Sequence, residues 1–424
     1  MSWQKRLLGE LCDEGGGLIQ TGPFGSQLHQ SDYQPFGTPV VMPKDIVDGR
    51  VSEDTVARVG QEDVRRLSRH QLEAGDIVYG RRGDIGRCAL IGPREKGWLC
   101  GTGCLLVRLG AAEVMPDFLF FFLNHPKTIA WIYGQAVGAT MPNLNTGILR
   151  SVPVRFPDRN TQGRIAAILS AYDVLMENNT QRVAILEEMT RRIYEEWFVH
   201  FRAPGCEVTP LLESGLGAIP KGWVVQSIGE ITEFVHRGIA PKYDDDANSR
   251  VINQKCIRDG RLQLGPARRQ SKQVPENKLV RQCDVLINST GVGTLGRVAQ
   301  VLDALVDTTI DSHVTMLRPL HDIDPYFFGL SMLRLESVFS EAGIGSTGQT
   351  ELGRDRIRSQ RVIVPPKDLQ RMYGGIVRDM RQLTATLERQ NVNLRAQRDL
   401  LLPKLVSGEI DVSDADQMIR EAAE

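Results

Sequence analysis

No stretch of the 424-residue sequence stays apolar for long: the strongest run, Phe118 to Leu123, is far too short to span a bilayer. The opening MSWQKRLLGELCDEGGG reaches acid and glycine before an apolar signal-peptide core can form, so a cytoplasmic protein without a membrane partner is expected. Cysteines number seven, an odd count without paired spacing, which argues against a disulfide framework and predicts reduced thiols. Net charge is missing too. Lys and Arg total 51 against 52 Asp and Glu, so only the distribution of charge can speak for or against a nucleic-acid partner. What remains is ordinary for a globular chain, 41% hydrophobic and 24% charged, with length enough for two or three domains.

Recognisable catalytic motifs are also lacking. There is no GxxxxGK[ST] loop, no NPPF- or DPPY-like tetrapeptide of amino-methyltransferases, and no convincing Ser, His and Asp arrangement, so a non-catalytic chain is expected. GVGTLG, from Gly291 to Gly296, fits the dinucleotide fingerprint by letter. The RVAQVLD after it reads as a hairpin strand, whereas a pyrophosphate needs a helix N-terminus there. Cys100 and Cys104 have a spacing that suits a metal, but their counterparts in the repeat described below are Ile310 and Val314, which makes them core cysteines and leaves no metal site.

What the sequence does contain is an internal duplication. Trp3 and Gly9-Glu10-Leu11 recur as Trp223 and Gly229-Glu230-Ile231, an offset of 220. VVMPKDIVDGRV from Val40 returns as VINQKCIRDGRL from Val251, DIVYGRRGDIGR from Asp76 as DVLINSTGVGTLGR from Asp284, and SVPVRFP from Ser151 as SQRVIVP from Ser359. Each copy begins with short strand-like runs between glycine and proline turns and ends in a heptad pattern. In the first copy the seam steps through Ile165, Ile168, Tyr172, Leu175, Asn179, Arg182, Leu186, Met189 and Ile193; in the second through Tyr373, Ile376, Met380, Leu383, Leu387, Gln390, Leu394, Gln397 and Leu401. A helix from Thr161 to Val199 would be roughly 58 Å long, too long to be covered by one small domain, so it needs the second helix as its partner. The connection lengths then predict an antiparallel coiled coil in which Ile168, Leu175, Leu186 and Met189 face Ile376, Leu383, Leu394 and Leu401.

The basic residues are clustered in polar loops between strands, where recognition residues tend to sit. Arg65, Arg66, Arg69 and His70 precede the Asp76 strand, and Arg81, Arg82 and Arg87 follow it. In the second copy lie Lys255, Arg258, Arg268, Arg269 and Lys272. With Lys44, Asn288, Ser289, Thr290, Arg297 and Gln349 these are the candidate DNA contacts, because Arg and Lys neutralise phosphates and grip guanine while Asn and Gln suit adenine.

The order of these blocks, with TGPFGSQL from Thr21, GTPVVMPKDI from Gly37, GDIVYGRRGDIGR from Gly75, LGAIPKGW from Leu216, GSTGQTEL from Gly345 and LLPKLVSGEI from Leu401, resembles the specificity (S) subunit of type I restriction-modification enzymes over nearly the whole chain. The resemblance implies an α+β chain of two tandem mixed α/β target recognition domains and two long helices: recognition domain 1 at 1–157, a helix at 158–203, recognition domain 2 at 204–365, a helix at 366–410 and a tail at 411–424. It implies that each domain reads one half of a bipartite double-stranded DNA site. It further implies that two adenine-methyltransferase subunits and the restriction subunits dock on the helices, with S-adenosylmethionine, ATP and Mg on those partners and no cofactor on this chain. Loops such as HQSDYQPFG and PKYDDDANS differ between the copies, so the site should be asymmetric. Three other readings remain open: a subunit of a related system with methylation and cleavage in one polypeptide, a coiled-coil scaffold binding proteins or glycans, and an enzyme binding a nucleotide at GVGTLG.

Overall fold

The computed structural model describes residues 3–82, 85–135, 143–205, 209–343 and 351–412. It is a mixed α/β chain with long helices, divided into two compact units, Met1–Glu177 with Val392–Glu424, and Asn178–Asn391.

The first unit is built on a four-stranded antiparallel sheet of β1 (Gly16–Thr21), β2 (Ile77–Gly80), β3 (Cys88–Leu90) and β4 (Cys104–Gly110), in the order β1-β4-β2-β3. Its central strands are apolar at successive positions because both faces are covered, which is the burial that such continuous runs require. Ile77, Tyr79, Leu105 and Val107 point into a core with the helix Pro116–Leu123, while Val78, Ala89 and Leu106 point to the other side, against Val41 and Ile46. Cys100 and Cys104 lie in that second core, where burial pushes the Cys100 thiol up to about 12 and the Cys104 thiol well above its ordinary value. Just before β2, the Asp76 carboxylate accepts two hydrogen bonds from Arg108, at 2.8 and 2.6 Å, and one from the Glu73 amide at 2.7 Å.

The second unit carries β5 (Thr232–Arg237), β6 (Val285–Asn288), β7 (Val298–Gln300) and β8 (Val314–Pro319), in the order β5-β8-β6-β7. Val285, Ile287, Val298 and Leu317 face one core, and Leu286, Ala299 and Met316 face another with Ile252 and Ile257. Asp284 accepts from Arg318 at 2.7 and 2.6 Å and from the Arg281 amide at 2.7 Å. Burial outweighs the neighbouring guanidinium and raises the Asp284 carboxyl above the usual carboxylate range. A buried pair of this kind is weak evidence of stability but costly to break.

Two long helices complete the chain, α1 (Arg159–Tyr194) and α2 (Lys367–Ser407). A glutamine anchors the start of each. Gln162 accepts from the Met115 amide at 2.7 Å and donates to the Pro157 carbonyl at 2.9 Å; Gln370 accepts from Asp324 at 3.0 Å and donates to Pro365 at 2.8 Å. In the first unit, Ile165, Ala166 and Leu169 share a core with Leu402, Leu405 and Val406, and Arg398 binds Asp173 at 2.6 Å. In the second, Asn179 donates to Asn391 at 3.0 Å and the Tyr373 hydroxyl to the Thr190 carbonyl at 3.4 Å. Rising numbers on α1 thus meet falling numbers on α2 in each unit.

The expected seam needs correction at one of its two heptad positions. Leu175, Met189, Ile376 and Leu383 are exposed, and the buried neighbours are Met176, Thr190, Val377 and Thr384, one residue later. Ile168, Leu186, Leu394 and Leu401 are half-buried, while Leu169, next to Ile168, is fully buried. The heptad phase through Ile165, Asn179, Tyr373 and Leu387 is buried as expected for a seam. A shift by one is available because adjacent apolar pairs, Ile168-Leu169 and Leu175-Met176, offer either choice.

A measurable consequence follows. Leu169→Ala, at 0% exposure, should cost about 2–5 kcal/mol in thermal or denaturant unfolding. Leu175→Ala, at 51% exposure, should change stability by less than about 0.5 kcal/mol. Equal losses would mean that the seam runs through Leu175 after all.

Candidate nucleic-acid interface

In the first unit the chain leaves β2 at Gly80 and enters Arg81-Arg82. The Arg81 amide donates to the Gly103 carbonyl at 2.8 Å, Leu144 donates to the Arg81 carbonyl at 3.0 Å, and Arg82 bridges to Asn143. The Gly101 amide donates to Val41 at 2.9 Å, and so ties in the segment leading to Lys44. Four separate segments are therefore brought together by backbone pairing, although they lie about 20 to 100 residues apart in sequence. Among the described residues, Arg81 Nε, Thr102 Oγ1 and Asn143 Oδ1 are buried without a hydrogen-bond partner. Buried polar atoms are normally satisfied, so three orphans in one loop cluster mark an incomplete site. Arg82 beside them is exposed, as is Lys44, whose Nζ reaches the Thr55 carbonyl at 2.9 Å.

The second unit uses the corresponding loops with other side chains. After β6, Thr290 Oγ1 is hydrogen-bonded to His313 Nδ1 at 2.7 Å and lies 3.4 Å from Gln254 Oε1. The fit depends on Gly291, at φ +107°, where a Cβ would sit 2.8 Å from Gln254 Oε1 and 2.3 Å from Thr294 Oγ1. Gly293 and Gly296 also have positive φ, and strand β7 follows them, so the GVGTLG glycines serve a turn and no helix N-terminus stands there. His313 and Lys255 are exposed beside this turn.

Several candidates are placed elsewhere. Asn288 and Ser289 are fully buried, which corrects their reading as exposed DNA contacts: Asn288 Nδ2 donates to the Gln254 carbonyl at 3.0 Å while its Oδ1 is buried without a partner among the described residues, and Ser289 Oγ pairs with Thr315 Oγ1 at 2.5 Å. They close the end of β6 and support the Thr290 turn from beneath. Arg66 is held by Asp63 at 2.5 Å, by Asp32 at 3.5 Å and by the Gln27 carbonyl. Arg69 donates to the buried His70 Nε2 at 3.0 Å, whereas Arg65 is simply exposed. Arg87 lines a cavity with Asp173 and Arg398, and Arg258 pairs with Asp259 at 3.4 Å. Arg297 donates to the Gly293 carbonyl at 2.9 Å and braces the turn. Arg268 lies 3.6 Å from the Tyr243 ring, Arg269 donates to Ala247 at 2.9 Å and Lys272 to Ala240 at 3.2 Å, all three on an exposed edge. Gln349 lies outside the described residues. Thr102, Asn143, Gln254 and His313 were not legible as site residues, although Thr102 and His313 fall in corresponding turns ahead of β4 and β8.

The correction at Ser289 can be tested. Ser289→Ala should cost about 1 kcal/mol in unfolding free energy and leave the recognised DNA sequence unchanged. A changed sequence with unchanged stability would restore it as a contact.

Comparison with known proteins agrees with this architecture. Residues 2–188 match the family model described as the type I restriction modification DNA specificity domain. The chain is 24% identical to the type I restriction enzyme MjaIX specificity subunit of Methanocaldococcus jannaschii, covering 97% of this chain and 94% of that one. It is 20% identical to the HindI specificity subunit of Haemophilus influenzae, over 82% and 89% of the two chains. The S subunit of the type I restriction-modification system from M. genitalium has the same fold, with a TM-score of 0.62 at 19% identity and 96% coverage of both chains. The resemblance to type I specificity subunits therefore extends along almost the whole chain. Among the described residues no helix is long and apolar enough to cross a membrane.

Proposed function

We propose that this chain is the sequence-reading subunit of a type I restriction-modification complex, built as a duplicated recognition domain with an antiparallel helix pair. Each recognition domain reads one half of a bipartite, asymmetric DNA site. The observation that carries this reading is a shared frame with unequal loops. The Asp76–Arg108 and Asp284–Arg318 pairs hold the same two strands in each unit, while the loops at their ends present Arg81, Arg82, Thr102 and Asn143 in one and Gln254, Thr290 and His313 in the other. Arginine and amide side chains can grip guanine and adenine bidentately, so different sets on one frame suit different bases.

The chain itself performs no chemistry in this proposal. Methyltransferase subunits bring S-adenosylmethionine, and restriction subunits bring ATP and Mg. They dock on the helices, where apolar side chains stay exposed: Val174 and Leu175 in the first unit, Ile185, Met189 and Ile376 in the second. Sequencing methylated adenines in cells that carry this chain with its methyltransferase should return one split motif with unequal halves. A single uninterrupted motif, or no methylation dependent on this chain, would sink the proposal.

A further inference from the structure

The first unit has a cavity of about 300 Å³ bounded by the strands Gln4–Leu7 and Pro153–Phe156, the helix Pro126–Gln135 and the end of α2. Its floor is apolar, with Phe122, Trp131 and Val406, and its rim carries three cations, Lys5, Lys127 and Arg155. Among the described residues none that lines it is acidic, and none of the three cations forms an ion pair.

The placement of two of these cations is costly. Lys5 and Arg155 are directly opposed in the antiparallel pair, a position where like charges destabilise a sheet. The fold does not need them: the corresponding pair of the second unit is Val225 opposite Ile363. The nearest relief is the Trp3 ring, 6.0 Å from the Arg155 guanidinium carbon. Unpaired like charges converging over an apolar hollow are stabilised by an anion with apolar bulk. DNA phosphate supplies the charge but nothing to cover Phe122, Trp131 and Val406.

We propose that this cavity is a docking pocket for an acidic segment of the methyltransferase subunit, one that inserts an apolar side chain between its carboxylates. The proposal rests on the reading of the chain as a specificity subunit. Val406 and Ser407 belong to the end of α2, one of the two helices assigned to partner docking in that reading. Carboxylates paired with Lys5, Lys127 and Arg155 fix the partner's register, and the apolar side chain supplies the buried contact.

The test uses the full chain and the purified methyltransferase subunit of its own system. Changing Lys5→Gln, Lys127→Gln and Arg155→Gln together removes mutual repulsion, so the thermal midpoint of the free chain should hold or rise. Affinity for the methyltransferase, measured by calorimetry, should fall about tenfold or more. The charge-preserving set Lys5→Arg, Lys127→Arg and Arg155→Lys should retain binding. Unchanged methyltransferase affinity in the glutamine variant overturns the pocket. So does a loss of DNA affinity, in the absence of methyltransferase, as large as the loss of methyltransferase affinity, because the cations would then serve phosphate. A wild-type chain that takes up no methyltransferase at all overturns the specificity-subunit reading and the pocket with it.

Discussion

Arg81→Ala combined with Arg82→Ala is expected to abolish recognition of one half-site while the chain stays folded. Arg82 is exposed and Arg81 has a buried Nε without a partner among the described residues, so neither guanidinium holds the strands together. The backbone around them does that, through the Arg81 amide to Gly103 and the Leu144 amide to Arg81. If both side chains grip bases, each is worth about 1–3 kcal/mol of discrimination. The pair then accounts for roughly two to four orders of magnitude in affinity for the cognate site, with little change on other sequences. If they touch phosphates, the loss is similar on every sequence, and the slope of log affinity against log salt falls by about 1 per contact. Titrating cognate and scrambled duplexes at several salt concentrations separates the two roles. Wild-type affinity for both duplexes would remove these arginines from the interface.

The sheet and helix framework was legible in the sequence because it is repeated, and because burial on both faces leaves runs such as DIVYG and DVLIN. The helix seam was half legible. Apolar periodicity finds Ile165 and Leu387, but Thr190, Asn391 and Arg398 enter the seam through polar bonds across it, to which a hydrophobic pattern is blind. At Met189-Thr190 the more apolar residue is exposed and the threonine is buried, its hydroxyl satisfied by the Leu186 carbonyl at 2.7 Å. The interface was less legible for a different reason. Asn288 and Ser289 look like recognition residues by type, and their burial follows only from the pairing of β6 with β8. Asn143 and Thr102 meet Arg81 through contacts about 20 to 60 residues apart in sequence, and no local spacing announces them.

Exchange of a whole recognition domain should have the largest effect of all. If the two units read independently, replacing residues 1–157 by the corresponding part of another specificity subunit changes one half of the methylated sequence completely. The other half and the number of bases between them stay as they were. The physical ground for independence is that each unit has its own cores and its own strand-anchoring ion pair, Asp76–Arg108 or Asp284–Arg318. Inserting residues between Ala203 and Ser214 should do the reverse. Each added residue extends the link by up to about 3.3–3.6 Å, close to the rise of about 3.4 Å per base pair, so the tolerated spacing moves while both half-sites keep their bases. Methylome sequencing reads all of these outcomes from the same kind of experiment. A domain exchange that altered both half-sites together would defeat the independent-reader model, since the bases would then be chosen by a surface to which both units contribute.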